Sequence, residues 1–187
     1  MDQQAVIAQT RRWLSAIVIG LNLCPFARRV FEADLIRYVV SEATSESALL
    51  QDLTFELQAL ASTSPSQVET TLLIHPHALA DFLDYNDFLG DADELLDQLG
   101  LTGTLQIASF HPAYQFAGTE PDAAENYTNR SPYPMLHLLR EESLTQVADD
   151  PEELAEIPRR NIATMNKLGR AWMLEKLQAL AEDDPGA

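Results

Sequence analysis

The chain contains one cysteine and four histidines, the side chains best suited to act as a nucleophile, a general base or a metal ligand. Cys24 directly precedes Pro25, and proline is favoured at the first position of a helix. The pattern therefore predicts a short helix from Pro25 to Phe31 with the thiol at its N-terminus. There the helix dipole and nearby Arg28 would lower the pKa of the thiol and make Cys24 a catalytic nucleophile. The alternative is a small, buried, apolar residue, which is a common state for a free cysteine.

Two His-Pro pairs each follow an apolar run that predicts a strand, Thr70–Ile74 before His75 and Leu105–Phe110 before His111. If the strands are parallel, both imidazoles emerge at the same carboxyl edge of the sheet, where open α/β sheets bind ligands. The short helix would bring Cys24 to the same edge. His75 is then a ligand-binding candidate and His111 a catalytic base. Two alternatives stay open: these three side chains bind a metal, or the histidines cap the strand ends by hydrogen bonds.

The segment from Phe110 to Glu142 is rich in proline, tyrosine and amide side chains, and it predicts a structured polar loop over the same edge. It supplies five further candidates, one catalytic (Glu125) and four ligand-binding (Tyr114, Asn126, Asn129 and Arg130). Arg130 could hold a carboxylate or phosphate as a bidentate clamp, and Glu125 could orient or ligate the bound group. The alternative is a capping network in which Arg130 pairs with Glu125, while Asn129 and Ser131 satisfy the turn.

His137 is the last candidate for ligand binding. The run after the loop predicts a helix from about Pro132 or Pro134 to Val147. In a helix His137 would share a face with Arg140 and would point back toward Arg130. The alternative is an ordinary charged group on the surface.

The remaining periodicity completes the fold prediction. Apolar residues at three- and four-residue steps predict a long N-terminal helix that ends near Leu21, helices from Ser45 to Leu60 and over 79–99, and a last helix from about Pro158 to Leu180. A further strand is predicted over Leu35–Val40. We therefore predict an α/β protein: a single compact domain over 1–187 with a small, mainly parallel sheet of about three strands, long terminal helices and a frayed tail at 181–187.

The charge of the chain is distributed unevenly. The net charge is −17, and residues 41–129 contain 15 acidic side chains and no Lys or Arg. Such a field repels nucleic acid and anionic membrane surfaces, so neither is a predicted partner. The apolar run after Arg12 is too short for a transmembrane helix, and a single cysteine suits a reducing compartment, so we predict a cytoplasmic protein.

Several runs together resemble one bacterial family. GLNLCPFA, the strand-end HP pairs, FHPAYQFAG and ENYTNRSPYPMLHLLRE are similar to the domain-of-unknown-function family 1415. The resemblance extends over nearly the whole chain and implies a small cytosolic bacterial protein. It implies no activity, cofactor or substrate.

Two hypotheses for function follow from the residues. The first is a soluble enzyme or small-molecule-binding protein whose Cys/His/Arg/Asn pocket takes a small anionic metabolite. The second is a non-catalytic interaction module, with the loop as a rigid epitope and the acidic region facing a basic partner. The reaction, the cofactor and the oligomeric state stay open.

Overall fold

The computed structural model describes residues 2–145 and 151–182, and its centre is one four-stranded sheet. The strands are β1 (Ile36–Val40), β2 (Thr70–Ile74), β3 (Leu105–Phe110) and β4 (Met135–Arg140). Their order across the sheet is β1-β2-β4-β3. Strand β1 pairs with β2 in parallel, and β4 runs antiparallel to both β2 and β3.

Seven helices are described around the sheet in residues 2–145 and 151–182: α1 (Gln3–Trp13), α2 (Ala27–Glu32), α3 (Glu46–Ser62), α4 (Phe82–Gln98), α5 (Glu141–Thr145), α6 (Pro151–Leu168) and α7 (Arg170–Glu182). A π-helical segment, Leu14–Ile19, continues α1, and a 3₁₀ turn, Ala124–Thr128, lies in the loop before β4. Ser45 begins α3 by accepting a hydrogen bond from the backbone of Ala48.

Both faces of the sheet are covered, which places two cores on opposite sides. On one side, which we call the α1 face, Leu72 and Met135 pack against α1, the π-helical segment, α6 and α7. On the other side, the α4 face, Leu73 and Leu136 pack against α3 and α4. Successive residues of a strand point to opposite faces, so neighbours along one strand belong to different cores.

The prediction of a mainly parallel, three-stranded sheet was wrong in one element. The three predicted strands form and run in one direction, but a fourth strand lies between β2 and β3 and makes the sheet mixed. This is β4, which we predicted as a helix. Its apolar positions, Met135-Leu136 and Leu138-Leu139, match helical spacing, yet they arise because a strand covered on both faces needs apolar residues on both.

The other helix predictions hold with smaller corrections. The helix predicted over 79–99 is α4, which is continuous from Phe82 to Gln98. The predicted C-terminal helix is divided into α6 and α7, because Gly169 adopts a positive φ of 79° between them. Of the predicted tail, 181–187, the first two residues complete α7 and 183–187 lie outside the described residues. Within the described ranges, the helices are all too short or too polar to cross a membrane.

Candidate functional site

The two His-Pro histidines lie together on the α4 face, as the strand directions require. The ring of Tyr85 on α4 separates them, with ring centroids 5.8 Å from His75 and 5.0 Å from His111. Tyr114 joins this group through Phe82, whose ring is 5.5 Å from His111 and 5.2 Å from Tyr114. The structure therefore brings together three of the predicted site residues, His75, His111 and Tyr114.

Both ring nitrogens of His111 make hydrogen bonds to the backbone. Its Nε2–H donates to the carbonyl of Leu79 over 3.1 Å, and its Nδ1 accepts from the N–H of Ala113 over 3.0 Å. Burial lowers the pKa of His111, which matches a neutral ring with both nitrogens in use. The described geometry thus agrees with the capping alternative and leaves no free nitrogen for a base.

His75 is more deeply buried than His111 and is only partly satisfied. Its Nδ1 donates to the carbonyl of Ala78 over 3.0 Å, whereas its Nε2 is buried without a hydrogen-bond partner. Burial lowers the pKa of His75 to about 4, so the ring is neutral at pH 7.

Cys24 does not join the two histidines but lies on the opposite face of the sheet. It packs into the core of the α1 face and lines a cavity of about 150 Å³ between the strands, the π-helical segment and α2. The predicted meeting of Cys24 with His75 and His111 is therefore wrong. Among residues 2–145 and 151–182 no cluster of three or more His, Cys, Asp or Glu side chains could hold a metal, so the alternative metal site is not formed either.

The imidazole that shares the cavity with Cys24 is His137 on β4. Thr70 donates its hydroxyl hydrogen to the carbonyl of Leu138 over 2.5 Å, and it therefore accepts from Nε2–H of His137 over 2.7 Å. This bond fixes the tautomer of His137 and leaves its Nδ1 as a hydrogen-bond acceptor. Burial lowers the pKa of His137 to about 4.

The wall of the cavity is almost entirely apolar. Leu14 and Val18 come from the π-helical segment, Ala27 from α2, and Ala108 and Phe110 from β3. Trp13 also lines it, and its indole N–H donates to the carbonyl of Arg130 over 3.1 Å, which ties the polar loop to the cavity wall.

The thiol of Cys24 is shifted in the direction opposite to our prediction. Burial raises its pKa, and interactions with the backbone N–H groups of Phe26 and Ala27 offset this only in part. Arg28 does not lower the pKa of the thiol, because its exposed guanidinium pairs with Glu32 at 3.5 Å. The thiol is therefore protonated at neutral pH.

We expect iodoacetamide to label Cys24 slowly, with a rate that rises at a pH above the free-thiol value of about 8.5. The measurement is the labelling rate against pH, followed by mass spectrometry. A matched control is Ser66→Cys in a Cys24→Ser background, since Ser66 is exposed and its thiol should titrate normally. A midpoint for Cys24 below that of the control would contradict the buried-thiol interpretation.

The polar loop is held together by its own candidate residues. Asn126 is buried and accepts from Phe116 N–H and the Thr119 hydroxyl while it donates to the carbonyl of Glu120. Asn129 donates to the carbonyl of Ser109 over 3.1 Å.

Arg130 has a similar structural use in the loop. Its Nε donates to the carbonyl of Tyr114, one Nη donates to the carbonyl of Pro121, and its guanidinium stacks 4.5 Å from the ring centroid of Tyr127. Glu125 instead accepts from Asn166 on α6 over 3.4 Å. These contacts agree with the capping alternative, because the polar side chains bind backbone groups of the loop itself. The described ion pairs do not include the predicted one between Arg130 and Glu125.

Sequence reasoning missed two residues that organise these groups. Thr70 orients His137 across two strands, and a threonine at the start of a strand carries no signal of that role. The hydroxyl of Tyr85 accepts from Phe110 N–H and donates to the carbonyl of Met135, and it thereby joins β3 to β4. A tyrosine in the middle of a helical repeat was a possible signal, because a buried tyrosine usually finds a hydrogen-bond partner.

The fold and the site together define a mixed α/β protein with an apolar cavity whose wall carries a neutral thiol and a neutral imidazole. The chain belongs to the family described as protein of unknown function, DUF1415, whose pattern matches residues 5–175. The match confirms the family that the sequence resembles. Neither the curated proteins nor the solved structures contain a match to the chain.

Proposed function

We propose that this protein binds a small, mainly apolar molecule in the cavity on the α1 face, in contact with Cys24 and His137. The observation that carries the proposal is the cavity itself, about 150 Å³ bounded by side chains from all four strands, the π-helical segment and α2. An engineered apolar cavity of about this size stays dry and binds benzene. A planar ring or a short branched alkyl group is therefore the chemistry that fits.

The stability cost of the cavity supports this use. Enclosed core cavities cost roughly 24 cal/mol per Å³, so the upper limit for this partly open cavity is about 3.6 kcal/mol. Larger side chains at Ala27 or Ala108, both of which line the space, would remove much of that cost. A bound ligand would recover it, because apolar contact replaces the missing packing.

Two polar side chains in the wall, those of Cys24 and His137, would set the orientation of the ligand. A protonated thiol is a weak donor, and Nδ1 of His137 is an acceptor because Nε2 donates to Thr70. Both are neutral at pH 7, so they favour a neutral ligand with one polar atom over an ion. Recognition of an anionic group by Arg130 stays a prediction, because its described hydrogen bonds go to backbone carbonyls of the loop.

The test is ligand binding by the wild-type chain and by Ala108→Leu, whose larger side chain would occupy the cavity. We expect benzene or indole, at about 100 times its dissociation constant, to stabilise the wild type by about 2.7 kcal/mol and to leave Ala108→Leu unchanged. The measurement is the shift in thermal midpoint, about 5 to 10 °C for a chain of this length.

The matched control is Ala61→Leu, the same substitution at an exposed position of α3. It should respond to the ligand as the wild type does. The proposal fails if no neutral ring compound shifts the midpoint of the wild type, or if Ala108→Leu retains the full shift while folding normally.

A further inference from the structure

Strand β1 is an edge strand, because no strand of the described residues pairs with its outer side. All five of its residues are at least partly accessible, whereas all five residues of β2 are buried. The backbone of Leu35 accepts from Glu69 and that of Ser41 donates to Ile74, so odd-numbered residues face β2. In a parallel pair, the backbone groups of alternate residues point away from the partner strand. The N–H and C=O groups of residues 36, 38 and 40 therefore face the side of β1 that is opposite β2.

The opposite edge of the sheet is protected by comparison. Along β3, the side chain of Asn129 donates to the carbonyl of Ser109, and the backbone of His111 donates to that of Asn129. The polar loop thus occupies the end of that edge. Proteins generally protect their edge strands, because an open one is a template for another strand.

A groove runs beside the open edge, between β1 and α3. One part, about 460 Å³, is lined by residues 39–43 and the first turns of α3. A second part, about 240 Å³, is lined by Arg37, Val68 and the end of α3. Phe55 lines both parts with 64% of its surface exposed, an unusual position for a phenylalanine.

The charged side chains around this groove carry a net negative charge. Glu42, Asp52 and Glu56 line its larger part. Arg37 neutralises Glu56 through two hydrogen bonds of 2.8 and 3.0 Å, which leaves the other two carboxylates with neutral partners, Gln3 and Ser41. The region from 41 to 129, which contains α3 and α4, has 15 acidic residues and no Lys or Arg.

We infer that an extended, lysine- or arginine-bearing segment of another protein pairs with β1 as a fifth strand. Its backbone bonds the free groups of residues 36, 38 and 40, and alternate side chains enter the groove beside Phe55. Its basic side chains meet Glu42 and Asp52. A second copy of this chain fits less well, because it would bring an equally acidic groove against the first.

The probe is a fluorescent seven-residue peptide of alternating Lys and Val with blocked ends, titrated into the full chain. We expect saturable binding by fluorescence anisotropy that weakens when ionic strength rises from about 25 to about 300 mM. Phe55→Ala should weaken binding about tenfold, as truncation of an aromatic anchor commonly does. Leu83→Ala, a second exposed apolar residue at 71%, is the matched control and should bind as the wild type does.

Two further peptides and one measurement of the oligomeric state can contradict the inference. Equal binding of a Glu/Val peptide would show that the acidic groove does not select basic side chains. A Lys/Val peptide methylated on alternate backbone nitrogens that binds equally well would remove strand pairing. Sedimentation that shows a dimer, lost in Phe55→Ala, would assign the edge to a second copy instead.

Discussion

Acidification from pH 7 to pH 4 is expected to remove about 6 kcal/mol of unfolding free energy through His75 and His137 together. Burial lowers the pKa of each to about 4, from an ordinary value near 6.5. A lowered folded-state pKa contributes stability that is fully present above the unfolded value and is lost as pH falls toward the folded value. At about 1.36 kcal/mol per pKa unit, each histidine contributes about 3 kcal/mol between pH 6.5 and 4.

The measurement is urea unfolding across that pH range in variants that keep the hydrogen bonds but cannot titrate. Asn at 75 places an amide near Nδ1, and Gln at 137 places one near Nε2, so His75→Asn and His137→Gln preserve the donors to Ala78 and Thr70. Each variant should lose about half of the pH dependence. His77→Gln, at an exposed position, is the control and should keep all of it. An unchanged slope in both buried variants would contradict the assignment.

Replacement of Arg140 is expected to cost about 4 kcal/mol. One of its Nη atoms donates to the carbonyls of Leu60, Thr63 and Val68 at 2.8, 2.7 and 3.1 Å. The first two carbonyls belong to the end of α3, where backbone acceptors lack helical partners. Arg140→Met would retain much of the side-chain volume but leave these carbonyls unpaired, at roughly 1–3 kcal/mol for each that is buried.

The matched control for this prediction is Arg28→Met, because Arg28 is exposed and makes only a surface pair with Glu32 at 3.5 Å. Such pairs contribute about 0.3–0.5 kcal/mol. Both variants can be compared by urea unfolding at pH 7. A loss below about 1 kcal/mol for Arg140→Met would show that water replaces the guanidinium at the end of α3.

Three strands and most helices were predictable because their signals are local. Runs such as Leu105–Phe110 are bounded by turn residues, and α3 combines a Ser45 cap with leucines at helical spacing. Strand β4 was not predictable in this way. Its two-sided apolar pattern results from helices that pack on both faces, which is tertiary information.

The candidate site was also predictable only where the sequence alone determines the placement of a residue. The directions of β2 and β3 place His75 and His111 together, and this followed from the order of elements alone. Cys24 was placed wrongly because its helix lies across the other face of the sheet, and no short-range pattern specifies a face. His137 reached the cavity with Cys24 only because residue 137 is in a strand rather than a helix.

The position of β4 also bears on the order in which the protein can fold. This strand is last in sequence but lies between β2 and β3, which do not bond each other. During synthesis on the ribosome, β1 and β2 can therefore pair, but β3 has no partner strand until residues 135–140 emerge. The late insertion closes long loops, so assembly of the sheet is governed by non-local contacts and is expected to be slow for a chain of this size.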